Sequence, residues 1–285
     1  MWNQLPPSFS DPNFYGLLGI NNRDGYIYLW QRLDLHTIGV EPVRKLLFWR
    51  VKPEHSSWER LKVQLLLQDS VERTESLTFN LEQTKILIYQ GAQGSAAELL
   101  SYDLESRAIS RQRLPVVCHP PLTRWRFCHS LLGWIGAAIL PDGIQIYRIC
   151  EQQATSLIEL PCSELVAIAF TRDEVFLLQR PSAQNLLIVC YNFLSRLMEK
   201  FCLSCSQQPL DLFSSADRVF LCVRGRNGDT IDVFQVDFAS ETGIRPLIRD
   251  IAFSRKEGLK IWCGKLVTIV CNHEKGSLNV YKYNL

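Results

Sequence analysis

Five arginines, Arg107, Arg111, Arg113, Arg124 and Arg126, fall within 20 residues of one another and flank Trp125. Guanidinium groups beside an indole suit two kinds of contact, the hot spot of a protein interface and the phosphate backbone of a nucleic acid. A second aromatic, Trp58, sits in the polar stretch KPEHSSWERL (Lys52 to Leu61), where a large ring in a loop is a candidate anchor for a partner. Cys202-Leu-Ser-Cys205 has the spacing of half a zinc site. The pairs that would complete it, Cys118-His119, Cys128-His129 and Cys271-Asn-His273, fall in separate repeat units, whereas four zinc ligands must meet in one tetrahedron. The thiols are therefore expected to be free, and no metal or cofactor is expected. There is no Gly-x-Ser-x-Gly and no pair of carboxylates that stands out, while Asp24, Asp142 and Asp229 are placed for turns; the expectation is a protein that is not an enzyme. Gly91-Ala-Gln-Gly94 and Gly225-Arg-Asn-Gly228 join strand-like runs with no helix after them, so they are not phosphate cradles.

These residues hang on a repeat. An aromatic, a polar residue and an apolar one recur at the end of alternating runs: Tyr102-Asp103-Leu104, Tyr147-Arg148-Ile149, Tyr191-Asn192-Phe193, Phe234-Gln235-Val236 and Tyr281-Lys282-Tyr283. The intervals are 45, 44, 43 and 47 residues. Trp30-Gln31 supplies an earlier member 72 residues before Tyr102, a gap that a degenerate copy at Leu67-Gln68 in KVQLLLQD divides into 37 and 35. Laying GINNRDGYIYLWQ over VRGRNGDTIDVFQ, a shift of 204 residues, also brings Gly39-Val40-Glu41-Pro42 onto Gly243-Ile244-Arg245-Pro246. Within a unit the runs are short, β-branched or aromatic, and bounded by turn formers, as in LVAIAF, EVFLLQR, NLLIVCYNF and RLMEKFC between Leu165 and Cys202. Asn227-Gly228 and Pro141-Asp142-Gly143 punctuate two of the hairpins.

A period near 45 residues with four strands per unit resembles that of WD40-like β-propellers, and the resemblance covers essentially the whole chain. It is architectural: Trp-Asp is absent, Tyr102-Asp103 is the nearest substitute, and no Gly-His precedes the strands. Runs such as VAIAF and GAAIL, apolar on both faces, read as inner strands crowded between two neighbouring blades rather than as strands of a sandwich. The fold expected is all-β, a single propeller domain over residues 1–285 of four-stranded antiparallel blades, seven in number with six as the alternative. SLNVYKYNL reads as the third strand of the last blade, so the segment 1–13 is expected to supply the fourth and close the ring, with Trp2 and Phe9 beside Tyr281 and Tyr283.

The formal charge of +2 gives no global pull toward nucleic acid or membrane. MWNQLPPSFSDPNF has no basic segment leading into an apolar run, and no stretch reaches the roughly 18 apolar residues of a membrane span. Neither membrane insertion nor secretion is expected, and the place expected for the chain is intracellular, cytoplasmic or nuclear. The function expected is a protein–protein interaction scaffold, a subunit of a multiprotein complex whose partners are other subunits. Nucleic-acid binding through Arg107 to Arg126 is the alternative.

Overall fold

In a computed structural model of the chain, residues 15–282 are described apart from 36–42, 53–57, 69–73, 81, 92–95, 118–123, 151–152, 163, 216–217, 227, 229, 241, 253–258, 264–266 and 273–276. Among the described residues every element is a strand, and from the first strand to the twentieth each set of four consecutive strands forms one antiparallel sheet. Blade 1 is β1 (Tyr15–Ile20), β2 (Ile27–Leu35), β3 (Val43–Val51) and β4 (Glu59–Gln68). Blade 2 is β5 (Thr74–Phe79), β6 (Lys85–Gly91), β7 (Ala96–Asp103) and β8 (Ile109–Val117). Blade 3 is β9 (Arg124–Ser130), β10 (Gly133–Ile139), β11 (Gly143–Ile149) and β12 (Ala154–Pro161). Blade 4 is β13 (Leu165–Phe170), β14 (Glu174–Ser182), β15 (Asn185–Asn192) and β16 (Met198–Ser204). Blade 5 is β17 (Pro209–Ser215), β18 (Arg218–Arg224), β19 (Thr230–Val236) and β20 (Ile244–Ala252). A three-stranded sheet follows, of β21 (Leu259–Cys263), β22 (Val267–Asn272) and β23 (Ser277–Lys282).

The described residues thus make five four-stranded blades, and the count of seven, or of six, such blades is corrected. The error began at Trp30, which lies on β2, the second strand of its blade, whereas Tyr102, Tyr147, Tyr191, Phe234 and Tyr281 all lie on third strands. The third strand of blade 1 carries its own triplet, Trp49-Arg50-Val51, 53 residues before Tyr102. KVQLLLQ, the described part of KVQLLLQD, lies on β4, the outer strand of blade 1, and founds no further unit. GAAIL belongs to β10, a second strand; the inner strand of that blade is β9.

The first strand of each sheet lies nearest the axis. β1 lies against β5 and β21, β5 against β9, and β17 against both β13 and β21, so the chain returns upon itself through β1 and β21. Trp2, Phe9 and Tyr283, and with them the expected fourth strand of the last sheet, lie outside the described residues; Tyr281 stands on β23 opposite Thr268.

Apolarity on both faces of the middle strands follows from the stacking of blades. Along β14, Val175 and Leu177 join a cluster with Ile135, Ala137 and Ile146 of blade 3, while Phe176 and Leu178 join one with Leu212, Val219 and Leu221 of blade 5. Successive side chains point to opposite faces, so a strand with a blade on either side has no solvent face to leave polar. Each such Leu or Ile contributes about 1.5–3 kcal/mol by leaving water. Blades 1 and 2 meet through Tyr28, Phe48, Ile86 and Ile88, and blades 2 and 3 through Leu87, Tyr89 and Phe127.

Candidate protein-docking face

The sequence places five arginines together; the fold spreads them across the height of two blades. Arg107 is in the turn between β7 and β8, and Arg111 and Arg113 stand exposed on β8, the outer strand of blade 2. Arg113 lies 4.0 Å from Glu98 on the neighbouring strand. Arg124, Trp125 and Arg126 belong to the innermost strand of blade 3, opposite Ile139, Ala138 and Ala137, with Arg126 exposed. Trp58 is half-buried immediately before β4. Of these residues, Arg107 and Trp58, which ends the connection from β3 to β4, stand at the edge that bears the face described next.

In an antiparallel four-stranded blade, the turn after the first strand and the turn after the third emerge at the same edge. Five large apolar side chains are exposed among the described residues: Ile109 (46%), Leu131 (51%), Leu194 (52%), Leu197 (65%) and Met198 (45%). Leu131 is in the first turn of blade 3; Leu194, Leu197 and Met198 belong to the third-strand turn of blade 4 and the residue after it; Ile109 follows the same turn of blade 2. All five therefore lie on one face of the ring, spread over three consecutive blades.

Two of these turns are built identically. In blade 2, Asp103 Oδ1 accepts the N–H of Glu105 (3.1 Å) and Ser106 (2.8 Å), and the Asp103 carbonyl accepts from Arg107 N (3.0 Å). In blade 4, Asn192 Oδ1 accepts from Leu194 (3.0 Å) and Ser195 (2.9 Å), and its carbonyl accepts from Arg196 N (2.9 Å). Arg107 and Arg196 occupy the same left-handed conformation, with φ of 62° and 59°. A short side-chain acceptor at the first position is the reason Asp and Asn stand there. Where blade 4 exposes Leu194 and Leu197, blade 2 has Glu105 and Ala108, so the turn itself has no need of leucine. The same backbone hydrogen bonds at Asp103 and Ser106 hold the Asp103 carboxyl below the usual carboxylate range, chiefly through the Ser106 N–H.

Hydrogen bonds between turns stitch this face together. Leu131 N donates to the Arg172 carbonyl across the seam of blades 3 and 4 (2.9 Å), and Phe193 N donates to the Asp173 carbonyl (2.7 Å), fixing the Leu194–Leu197 turn beside the first turn of its own blade. Between blades 1 and 2, Asn21 Nδ2 donates to the Gln83 carbonyl (2.8 Å). At the centre of the face the channel opens into a cavity of about 180 Å³ bounded by Ile20, Asn80, His129, Thr171 and Ser214 from five different blades. Asn21, Asn80 and Ser130, each at the end of an inner strand, accept an N–H from their own turns. Thr171, at the matching place, is 4% exposed, and among the described residues neither its Oγ1 nor Nδ1 of His129 has a hydrogen-bond partner.

Sequence reasoning missed Leu194, Leu197, Arg196 and Arg172. The signal was present as a repeated octapeptide, Tyr-Asp-Leu-Glu-Ser-Arg-Ala-Ile from Tyr102 and Tyr-Asn-Phe-Leu-Ser-Arg-Leu-Met from Tyr191, in which the polar and small positions of one copy become leucines in the other. The Cys202–Cys205 pair gathers nothing further: among the described residues no group of three or more His, Cys, Asp or Glu is arranged to hold a metal ion. Cys128, Cys162 and Cys190 are buried free thiols whose pKa is pushed up by burial, that of Cys190 also by Glu174.

No family model matches the chain, and no curated protein does. Solved structures share its fold at low identity. The SapL1 lectin, solved in complex with alpha methyl fucoside, is 11% identical with a TM-score of 0.59 over 95% of this chain and 92% of its own. An alpha-L-arabinanase of Penicillium chrysogenum is 9% identical with a TM-score of 0.55 over 98% of this chain and 96% of its own. The β-propeller domain of the Trilobed protease of Pyrococcus furiosus is 12% identical with a TM-score of 0.51 over 93% of this chain and 80% of its own. The expectation that the chain is not an enzyme is corrected by these neighbours, because an arabinanase is built on the same scaffold and the fold leaves catalysis open. What the likenesses show is a β-propeller.

Proposed function

We propose that the protein is an interaction platform, a propeller that docks another protein subunit on the face formed by the first-strand and third-strand turns of blades 2 to 4. The observation that carries this reading is the confinement of all five exposed large apolar side chains, among the described residues, to that one face. Apolar residues scattered over a surface require no explanation, but a set gathered on one side of a rigid disc is what a partner covers. The turns are held by side-chain and inter-blade hydrogen bonds, so little ordering is lost on binding. Arg107 belongs to this face and is proposed as a contact; Trp58 shares its edge at blade 1, and the arginines of β8 and β9 are not needed by it.

The test replaces Leu194 and Leu197 together by Ser and compares the variant with wild type in quantitative affinity purification from native cells. Ala183→Glu, in the β14–β15 turn at the opposite edge, is the control. The expected result is a set of co-purifying proteins retained by wild type and control and reduced about tenfold or more with the double variant. Equal recovery by all three would overturn the reading.

A further inference from the structure

The docking face has a chemical character beyond its apolarity. Resting on the reading above, we infer that its occupant is an acidic segment with apolar anchors, an amphipathic stretch of a partner protein whose large aliphatic or aromatic side chains meet Leu131, Leu194 and Leu197 while its carboxylates meet Arg172 and Arg196, with Arg107 at the blade 2 end.

Three observations carry it. First, Arg107, Arg172 and Arg196 all lie on turns of this face, all are exposed, and none forms an ion pair among the described residues. Second, the cations are interleaved with the apolar groups by covalent sequence and by hydrogen bonding. Arg196 stands between Leu194 and Leu197 in a turn whose left-handed residue fixes its direction, and Arg172 is joined to Leu131 through its own carbonyl. Third, the acids nearest Arg172 and Arg196 are less available than the bases, and at the blade 2 end the exposed Glu105 lies 3.6 Å from Arg23. Asp173 and Glu174 are half-buried, and Glu174 accepts from Asn192 Nδ2 at 3.3 Å; Glu199 and Lys200, next on β16, are of opposite sign and offset each other. Arg148, which spends its Nε on the Leu132 carbonyl (3.1 Å), adds a further positive charge at the seam of blades 3 and 4.

An apolar patch ringed by unpaired guanidinium groups disfavours a basic partner and steers an acidic one. A second copy of this face would bring arginine against arginine, so self-association through it is disfavoured. Nucleic acid would satisfy the arginines but leave the leucines in contact with phosphate and water.

The experiment has two arms. A random peptide library displayed on phage is selected against the full-length protein, and binding of enriched peptides is measured by fluorescence anisotropy against wild type, Arg172→Glu/Arg196→Glu and Leu194→Ser/Leu197→Ser. The expected result is a consensus combining Asp or Glu with Leu, Ile, Phe or Trp, and affinity lowered about tenfold or more by either double variant, equivalent to roughly 1.4 kcal/mol. Enriched peptides that are basic or lack acids, no enrichment at all, or binding indifferent to Arg172→Glu/Arg196→Glu would overturn the inference. In the second arm the charge-reversed variant is taken through the native-cell purification. Partners lost with the leucine variant but kept with the arginine variant would overturn the acidic-partner inference and leave the docking reading standing, and partners lost with both support the inference. Sedimentation velocity of wild type alone, expected to show a monomer, would count against the inference if it gave a dimer dispersed by Leu194→Ser/Leu197→Ser.

Discussion

Asp103 and Asn192 do the same work with different titration. Both organise a turn by accepting two backbone N–H groups, but only Asp103 carries a charge that strengthens as it ionises. Its carboxyl is held below the usual range by the Ser106 hydrogen bonds first, with a lesser contribution from Lys85. A depressed folded pKa means that its stabilisation is present above the unfolded value, about 4, and is lost as pH falls through the lower folded value. The blade 2 turn is therefore expected to loosen in acid while the blade 4 turn does not. Hydrogen exchange at Glu105 and Ser106, corrected for intrinsic rates, should accelerate below about pH 4 in wild type and lose that dependence in Asp103→Asn, which keeps the acceptor. Identical pH profiles in the two proteins would refute the assignment. At this scale the sequence was readable in part. Asp and Asn announce turns by type alone, but the exposure of Leu194 and Leu197 shows only when their turn is set beside its twin at Asp103, because apolar residues next to a strand otherwise read as core.

At the scale of elements, the strands of blades 4 and 5 were readable almost to the residue, since alternating β-branched runs and turn formers agree there. Blade 1 was not, because its second strand ends on an aromatic, Trp30, that imitates the triplet of a third strand. The triplet itself also shifts. The aromatic pairs with the second residue of the second strand in Tyr191 (opposite Val175) and Tyr102 (opposite Ile86), but stands two residues earlier in Tyr147 and Phe234. That slip of two keeps the ring on the same face of the strand and accounts for the uneven spacing. Joints between blades give a sharp test of packing. Gly243 has φ of +69°, and a Cβ there would come 1.7 Å from Cε1 of Phe201, whose ring also meets Phe238 edge-on at 5.7 Å. Gly243→Ala is expected to destabilise the protein by about 1–3 kcal/mol, read as a lower denaturant midpoint at unchanged slope. An unaltered midpoint would mean that blades 4 and 5 are not joined as described.

For the whole molecule, periodicity and punctuation were enough to read a propeller, since a period near 45 residues fits one blade. They were not enough to count blades or to find the working face, for which strand order had to be known. The arginine cluster shows why: residues adjacent in sequence separate when one lies on an outer strand and the next on an inner strand, while Leu131 and Leu194, 63 residues apart, come to the same side of the ring. The central claim is that this side is where a partner sits. Its most direct test is hydrogen–deuterium exchange of the full-length protein with and without a co-purified partner. Protection is expected at the turns around 104–108, 131–132, 172–173 and 193–198, with the opposite turns, such as 183–184, unchanged. Protection confined to the opposite edge, or to the outer strands β8 and β16, would contradict the account.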